Sequence, residues 1–502
     1  MSTDYLKKIK TANVYDVAKK TPLEHAPKIS DRVGNAIWLK REDLQPVFSF
    51  KIRGAYNCIA NLPEDVRSKG VICASAGNHA QGVAYSAQKL GIPATIVMPE
   101  TTPRIKVDAV IAMGGVPVLH GTSYSDAAEK AAVLVEEMGL SYIHPFDNPD
   151  VIAGQGTVGK EILDELPNVD AIFVCVGGGG LLAGIATYIK SVNPDIKIIG
   201  VEPNDSDAMT QSIDAGELVT LDNVGIFADG VAVKQVGAET FRLAQQYVDD
   251  MVVVSTDEIC AAIKDVFEDT RSVLEPAGAV GLAGLKKYCR EQEWQGKTLA
   301  VTASGANMNF DRLRHVSERT EFAERREGIL AVKIPEKPGS FKQFCQAIGG
   351  LNITEFNYRY ADSQEAVIYV GVEIRDAKQL DSLVESLTLA GYETLDLTDN
   401  EMAKLHLRHM VGGRGQHVEN EVVYRFRFPE APGALMLFLQ TLGHHWNISL
   451  FHYRNHGSDF GRVLCGLQVP SASREQFSQV LDDLGYVYFE ETDNPAYQLF
   501  LS

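Results

Sequence analysis

Four segments of the chain carry residues whose types and spacing suit chemistry on a small anion. The run Val176-Gly177-Gly178-Gly179-Gly180-Leu181 is the first of them. Glycines without a Cβ let backbone N–H groups come close to an anion, and a helix beginning there aims its positive dipole end at the same place. Taken alone, the run has three readings. It is a phosphate cradle, or a dinucleotide site, or a tight strand-to-helix turn that binds nothing. The dinucleotide reading has support in Gly178-x-Gly180-x-x-Ala183 and in Glu202, which stands where a ribose-binding acid is expected.

The other three segments add reactive groups. Ser49-Phe50-Lys51-Ile52-Arg53-Gly54-Ala55 sets a lysine among apolar neighbours, where desolvation lowers its pKa and frees an amine to attack an aldehyde. The plainer reading is a surface lysine whose stem packs on apolar atoms. Ala74-Ser75-Ala76-Gly77-Asn78-His79-Ala80 follows an apolar run and offers N–H groups for a carboxylate and an amide for a ring hydroxyl; by itself it is a helix N-cap. Ser304-Gly305-Ala306-Asn307 offers a neutral hydroxyl beside a glycine, and by itself is a turn.

Together, in order and spacing, the four segments resemble the threonine dehydratase group of pyridoxal-phosphate enzymes, the fold type II family that includes serine racemase and cysteine synthase. The match covers roughly the first two thirds of the chain. The resemblance implies that Lys51 is the Schiff-base lysine, and that Gly177, Gly178, Gly179, Gly180 and Leu181 hold the phosphate of pyridoxal 5'-phosphate. It implies that Asn78 bonds the ring hydroxyl, that Ser304 meets the pyridine nitrogen, and that Ser75, Ala76, Gly77, Asn78 and His79 hold the substrate carboxylate. The activity implied is dehydration and deamination of L-threonine, and secondarily L-serine, to 2-oxobutanoate and ammonia. The Lys51 amine acts as base at Cα, and the cofactor phosphate is a donor for the departing hydroxyl.

A serine at the ring nitrogen, unlike a carboxylate, does not hold that nitrogen protonated, so prompt elimination is favoured over transamination. Serine racemase carries a serine just before the Gly-Asn pair, where this chain has Ala76, which favours elimination from one enantiomer over racemisation. A β-replacement enzyme of the cysteine synthase type is the alternative, and a non-catalytic sensor with a relic core is a third. His79 follows Asn78 and can touch the site, though a histidine at the start of a helix is more often a structural hydrogen bonder. Glu275 matches a family segment near the cofactor or caps a helix; Ala228-Asp229-Gly230 resembles a cation loop of some relatives or is a turn. No metal is expected.

Composition narrows the class. A net charge of -19 argues against nucleic acid and anionic membranes as partners. Seven cysteines without a CxxC pair read as reduced thiols of a cytoplasmic protein. Neither a signal-peptide core near Met1 nor a membrane-length apolar run is present.

These loops need rigid elements behind them. Apolar runs at 71–73, 94–98, 116–119, 171–176, 197–201, 251–254 and 299–302 alternate with helical stretches such as 181–192, which predicts an α/β core of two helix-covered, mainly parallel open sheets. This catalytic domain is expected over residues 1–320, with a smaller subdomain at about 50–155 inserted in a larger one. The charged stretch 311–327 reads as a solvated connecting helix, and 321–328 as the connecting segment.

A repeat follows. Ile334-Pro335-Glu336-Lys337-Pro338-Gly339 recurs as Phe428-Pro429-Glu430-Ala431-Pro432-Gly433, and Asn352-Ile353 as Asn447-Ile448. Each copy, 329–400 and 421–502, reads as a βαββαβ ferredoxin-like module with its second helix at 377–390 or 473–484. The modules resemble ACT-like amino-acid sensors, and the whole arrangement is similar to the biosynthetic threonine deaminases. That resemblance implies the first step of isoleucine biosynthesis, inhibition by isoleucine relieved by valine, and a homotetramer. Effector contacts are expected near Gly339, Asn352, Gly433 and Asn447, in a pocket between the two modules; the plainer reading is an oligomerisation surface.

Overall fold

The computed structural model describes residues 4–225, 227–310, 312–323, 327–335, 343–344, 347–349, 351, 353–358, 365–407, 420–429, 437–438, 441–442, 446–454 and 460–501. The chain divides into two compact units, Met1–Val316 and Ser317–Ser502.

The first unit holds two sheets. In the larger, the strands run Leu23–His25, Ala36–Arg41, Thr298–Ala303, Ala171–Cys175, Lys197–Pro203, Asp250–Val254. All pairs are parallel except the outermost, Leu23–His25 against Ala36–Arg41. The smaller sheet, Val116–Leu119, Ala94–Met98, Val71–Ala74, Ser141–Tyr142, is parallel throughout. Every residue of Ala171–Cys175 and of Val71–Ala74 is buried, as strands covered by helices on both faces must be.

The apolar runs read from the sequence are strands with ends shifted by a residue or two, while three strands escaped that reading. Ala36–Arg41 did so because it ends in two charges. Its Lys40 pairs in the interior with Glu161 at 2.7 Å, and its Arg41 with Asp43 at 2.8 Å. The same buried network fixes the helix that begins at Lys51. Arg53, on Lys51–Ala60, pairs with Glu42 at 2.7 Å and with Glu161 at 2.6 Å, tying that helix to Pro149–Glu165.

The helix Arg312–Ala323 follows the first unit's last strand. It departs from the fully solvated helix expected there, because His315 and Val316 are buried, His315 with its ring 5.2 Å from that of Phe227.

The second unit repeats one design twice. Antiparallel sheets run Ile353–Tyr358, Glu365–Glu373, Glu327–Pro335, Thr394–Asp396 and Asn447–Arg454, Phe460–Gln468, Glu421–Pro429, Val487–Glu490, with helices Ala377–Leu389 and Arg474–Leu484 before the last strands. Alternation sends Leu330, Val332 and Ile334 into one module's own core and Val422, Tyr424, Phe426 and Phe428 into the other's. The intervening Ile329, Ala331 and Val423 join Tyr369, Leu464 and Tyr497 in a cluster shared by the two modules. Gly339, Asn352 and Gly433 lie outside the described residues, and Asn447 opens its strand.

Candidate functional site

The tetraglycine loop is shaped by what crowds it. The strand Ala171–Cys175 ends just before it, and the helix Gly180–Val192 starts within it, with Gly179 at φ 91°, a left-handed conformation that favours glycine. A Cβ on Gly178 would lie 2.1 Å from the Phe146 ring, on Gly179 2.6 Å from Met209 Cε, and on Gly177 2.9 Å from Val231 Cα. Bare backbone is therefore required here. The Gly178 carbonyl accepts from Thr240 Oγ1 at 2.7 Å, whereas the first N–H groups of an α-helix have no acceptor within it.

Glu202 is committed elsewhere. Its carboxylate accepts from the N–H groups of Met209 (3.0 Å) and Thr210 (2.8 Å) and from Thr210 Oγ1 (2.7 Å), so it caps the helix Ala208–Ala215. Burial pushes its carboxyl up to about 7. The acid that a dinucleotide site would need is thus spent, and the helix it caps carries the Met209 that backs the loop.

One cavity brings together Lys51, Asn78, Gly177 to Leu181 and Ser304, with Cys175, Gly230 and Glu275. The Lys51 amine donates to the Pro145 carbonyl at 3.2 Å, and burial pulls it down to about 8 against the opposing influence of Cys175 and Glu275. The Ser304 hydroxyl donates to the Ala277 carbonyl at 3.3 Å. The Phe50 N–H bonds to the Ser304 carbonyl at 3.3 Å, which ties the lysine segment to this third loop.

The second loop divides its residues. Asn78 begins the helix Asn78–Leu90 and lines the cavity. Ser75, Ala76 and Gly77 precede it half-buried, with the Gly77 N–H donating to Ser75 Oγ at 3.2 Å; a Cβ on Gly77 would meet nothing within 4 Å. His79 is turned inward. Its Nε2 donates to the Ile143 carbonyl at 2.8 Å, and burial, reinforced by the Lys51 charge, holds it neutral with a pKa near 3.

Two further groups serve the site. Glu275 occupies the N-cap position of Pro276–Glu291 without a side-chain cap bond, and accepts instead from Asn78 Nδ2 at 2.6 Å. The segment from Ile143 to Asp147 gave no signal in the sequence, yet it backs the glycine loop. His144 Nδ1 accepts from the N–H groups of Phe146 (3.3 Å) and Asp147 (2.8 Å), and burial lowers its pKa. The ring of Phe146 then lies against Gly178, and Asp147 caps the helix Ala238–Tyr247 that supplies Thr240. In Ala228-Asp229-Gly230, Asp229 is bonded to Lys106 (2.6 Å) and Arg312 (3.4 Å).

The donor set fits a phosphate-bearing aldehyde cofactor. A cradle that any Cβ would fill faces a desolvated amine, and an amide and a neutral hydroxyl line the same cavity.

Comparison with known proteins agrees. Residues 14–305 match the family of pyridoxal-phosphate dependent enzymes, and 318–407 and 412–501 each match the C-terminal regulatory domain of threonine dehydratase. The L-threonine dehydratase biosynthetic IlvA of Burkholderia multivorans is 57% identical over 100% of both chains. That of Escherichia coli is 52% identical over 99% of this chain and 97% of its own. Among solved structures, the processed form of threonine deaminase isoform 2 from Solanum lycopersicum is 52% identical with a TM-score of 0.62, covering 63% of this chain and 92% of its own. Maize serine racemase is 34% identical with a TM-score of 0.59, covering 62% and 96%.

Proposed function

The chain belongs to the biosynthetic threonine dehydratases, pyridoxal-phosphate-dependent lyases with a C-terminal regulatory domain, and from that membership we propose how it converts L-threonine to 2-oxobutanoate and ammonia. The cofactor, when bound, supplies an aldehyde for the substrate amine and a ring that takes up the electron pair left at Cα. The backbone N–H groups of Gly177 to Leu181 hold its phosphate, Asn78 its ring hydroxyl and Ser304 its ring nitrogen. Lys51 takes the Cα proton. Its lowered pKa leaves a useful fraction of the amine unprotonated near neutral pH, which a solvated lysine would not have. Ser75 to His79 hold the substrate carboxylate, His79 by its backbone N–H at the helix start since its ring is turned inward, the half-buried turn and the open space beside Gly77 leaving room for it. His79 shapes this turn from behind.

The observation that carries this reading is the desolvated Lys51 amine in one cavity with the glycine cradle. The test is release of 2-oxobutanoate and ammonia from L-threonine by the purified holoenzyme, lost by at least a factor of about 10³ in Lys51→Ala. A Lys51→Ala enzyme with wild-type turnover would refute the assignment. The same preparation given L-serine is expected to form no D-serine, because Ala76 lacks a hydroxyl.

We assign residues 1–320 to catalysis, with the smaller subdomain at about 50–155 and the connecting segment at 321–328. Residues 329–400 and 421–502 are the two regulatory modules, with isoleucine and valine as opposed effectors. The shared cluster packs the two modules against each other, and we place the effector pocket along that seam. A homotetramer fits the family. A cytoplasmic location is supported by six buried free thiols among the described residues, none of whose helices is long and apolar enough to cross a membrane.

A further inference from the structure

Glu275 is 3% exposed, lines the cavity and has no part in the chemistry assigned so far. Its Oε1 accepts one N–H of Asn78 at 2.6 Å. The other end of that amide, Asn78 Oδ1, accepts from Asn307 Nδ2 at 2.6 Å, and Asn307 is itself anchored to the Val47 carbonyl at 2.7 Å. A side-chain amide held at both ends cannot flip, and it has one N–H left to give. The carboxyl is also boxed in, since a Cβ on Gly305 would lie 2.2 Å from Glu275 Oε1.

We propose that Glu275 is a positioning residue of the dehydratase site: it locks Asn78 so that the remaining N–H faces the cofactor's ring hydroxyl. This rests on the dehydratase reading above. The groups that face Glu275 are Asp229, which favours the protonated carboxyl, Lys106 and Arg312, which favour the anion, and the Lys51 amine and Cys175 thiol across the cavity. Burial first and Asp229 second push the carboxyl up to about 7, against the bond from Asn78 and the two cations. Ionisation therefore falls in the working pH range. Above it, the anion pulls harder on the Asn78 N–H, and the remaining N–H stays fixed by the same bond.

The test measures cofactor dissociation and the absorbance of the bound cofactor between pH 5.5 and 8.5, beside threonine turnover. The wild type is expected to show an inflection near pH 7. Glu275→Gln keeps an acceptor for Asn78 and loses the inflection. Glu275→Leu weakens cofactor binding by about ten- to a hundredfold, as expected for a buried amide left unpaired. Asp229→Asn shifts the inflection to lower pH and Lys106→Met to higher pH, opposite movements that a purely structural role does not produce. Wild-type cofactor affinity in Glu275→Leu, or an inflection that survives Glu275→Gln or ignores both charge variants, would overturn the proposal. A wild-type protein that released no 2-oxobutanoate would instead count against the dehydratase reading.

Discussion

At Gly178 the tetraglycine loop has no room to spare, because an added methyl carbon would stand 2.1 Å from the Phe146 ring. One of the two must move. Overpacking of this kind costs about 1–3 kcal/mol, so Gly178→Ala is expected to lower the melting temperature and to weaken cofactor binding. Phe146→Leu in the same chain should restore part of both, a coupling that a double-mutant cycle measures. Additive effects of the two substitutions would mean that the ring is not what forbids the side chain. Asn78, Ser304 and the glycines were legible in the sequence because each follows an apolar run that reads as a strand, and loops at strand ends are where such a sheet presents its chemistry, whereas Lys51 stood out only by its apolar neighbours. Their partners were not legible. The Asn78 to Glu275 bond spans 197 positions and the Lys51 to Pro145 bond 94, distances over which spacing says nothing. Glu275 in particular looked equally good as a helix cap, and only the direction of its side chain separates the two roles.

Among the elements, Ala208–Ala215 matters because Met209 on it backs Gly179, and Glu202 caps it. The Glu202 carboxyl is raised from 4.5 to about 7 by burial. A carboxyl whose folded pKa exceeds its unfolded value contributes stability in full below the unfolded pKa and loses it as pH rises through the folded one. The window is therefore pH 4.5 to 7. Glu202→Gln does not ionise, so the stability of wild type relative to the variant is expected to fall by on the order of 3 kcal/mol across that window. Urea unfolding of both proteins at pH 5 and pH 8 measures it, and a difference that does not change with pH would show Glu202 ionising as an ordinary carboxylate. The apolar strands of the sheet were readable as runs, whereas Ala36–Arg41 was not, because the charges of Lys40 and Arg41 find their partners, Glu161 for the one and Asp43 and Glu24 for the other, only once the chain is folded.

On the scale of the whole chain, the repeat in the sequence announced two modules, and the alternation within their first strands shows why they come as a pair. Ile329, Ala331 and Val423 point away from their own modules' cores into a cluster built from both. A single module would expose that face to water. A chain ending after Leu407 is accordingly expected to aggregate, since it removes Val423, Leu464, Ala496, Tyr497 and Leu501 from the shared cluster and leaves Ile329, Ala331 and Tyr369 uncovered. A chain ending ahead of Glu327 lacks both modules and strands no half-cluster. It keeps the two sheets of the first unit with their own cores and every residue assigned to the cavity. Such a chain is expected to deaminate threonine within about a factor of ten of the full-length rate and to be insensitive to isoleucine, because an effector shifts an equilibrium only through sites it binds differently in the two states. Initial rates of 2-oxobutanoate formation with and without isoleucine, on both chains, decide the matter. Inhibition that persisted in the shorter chain would move the effector site into the catalytic unit and leave the paired modules with assembly as their role.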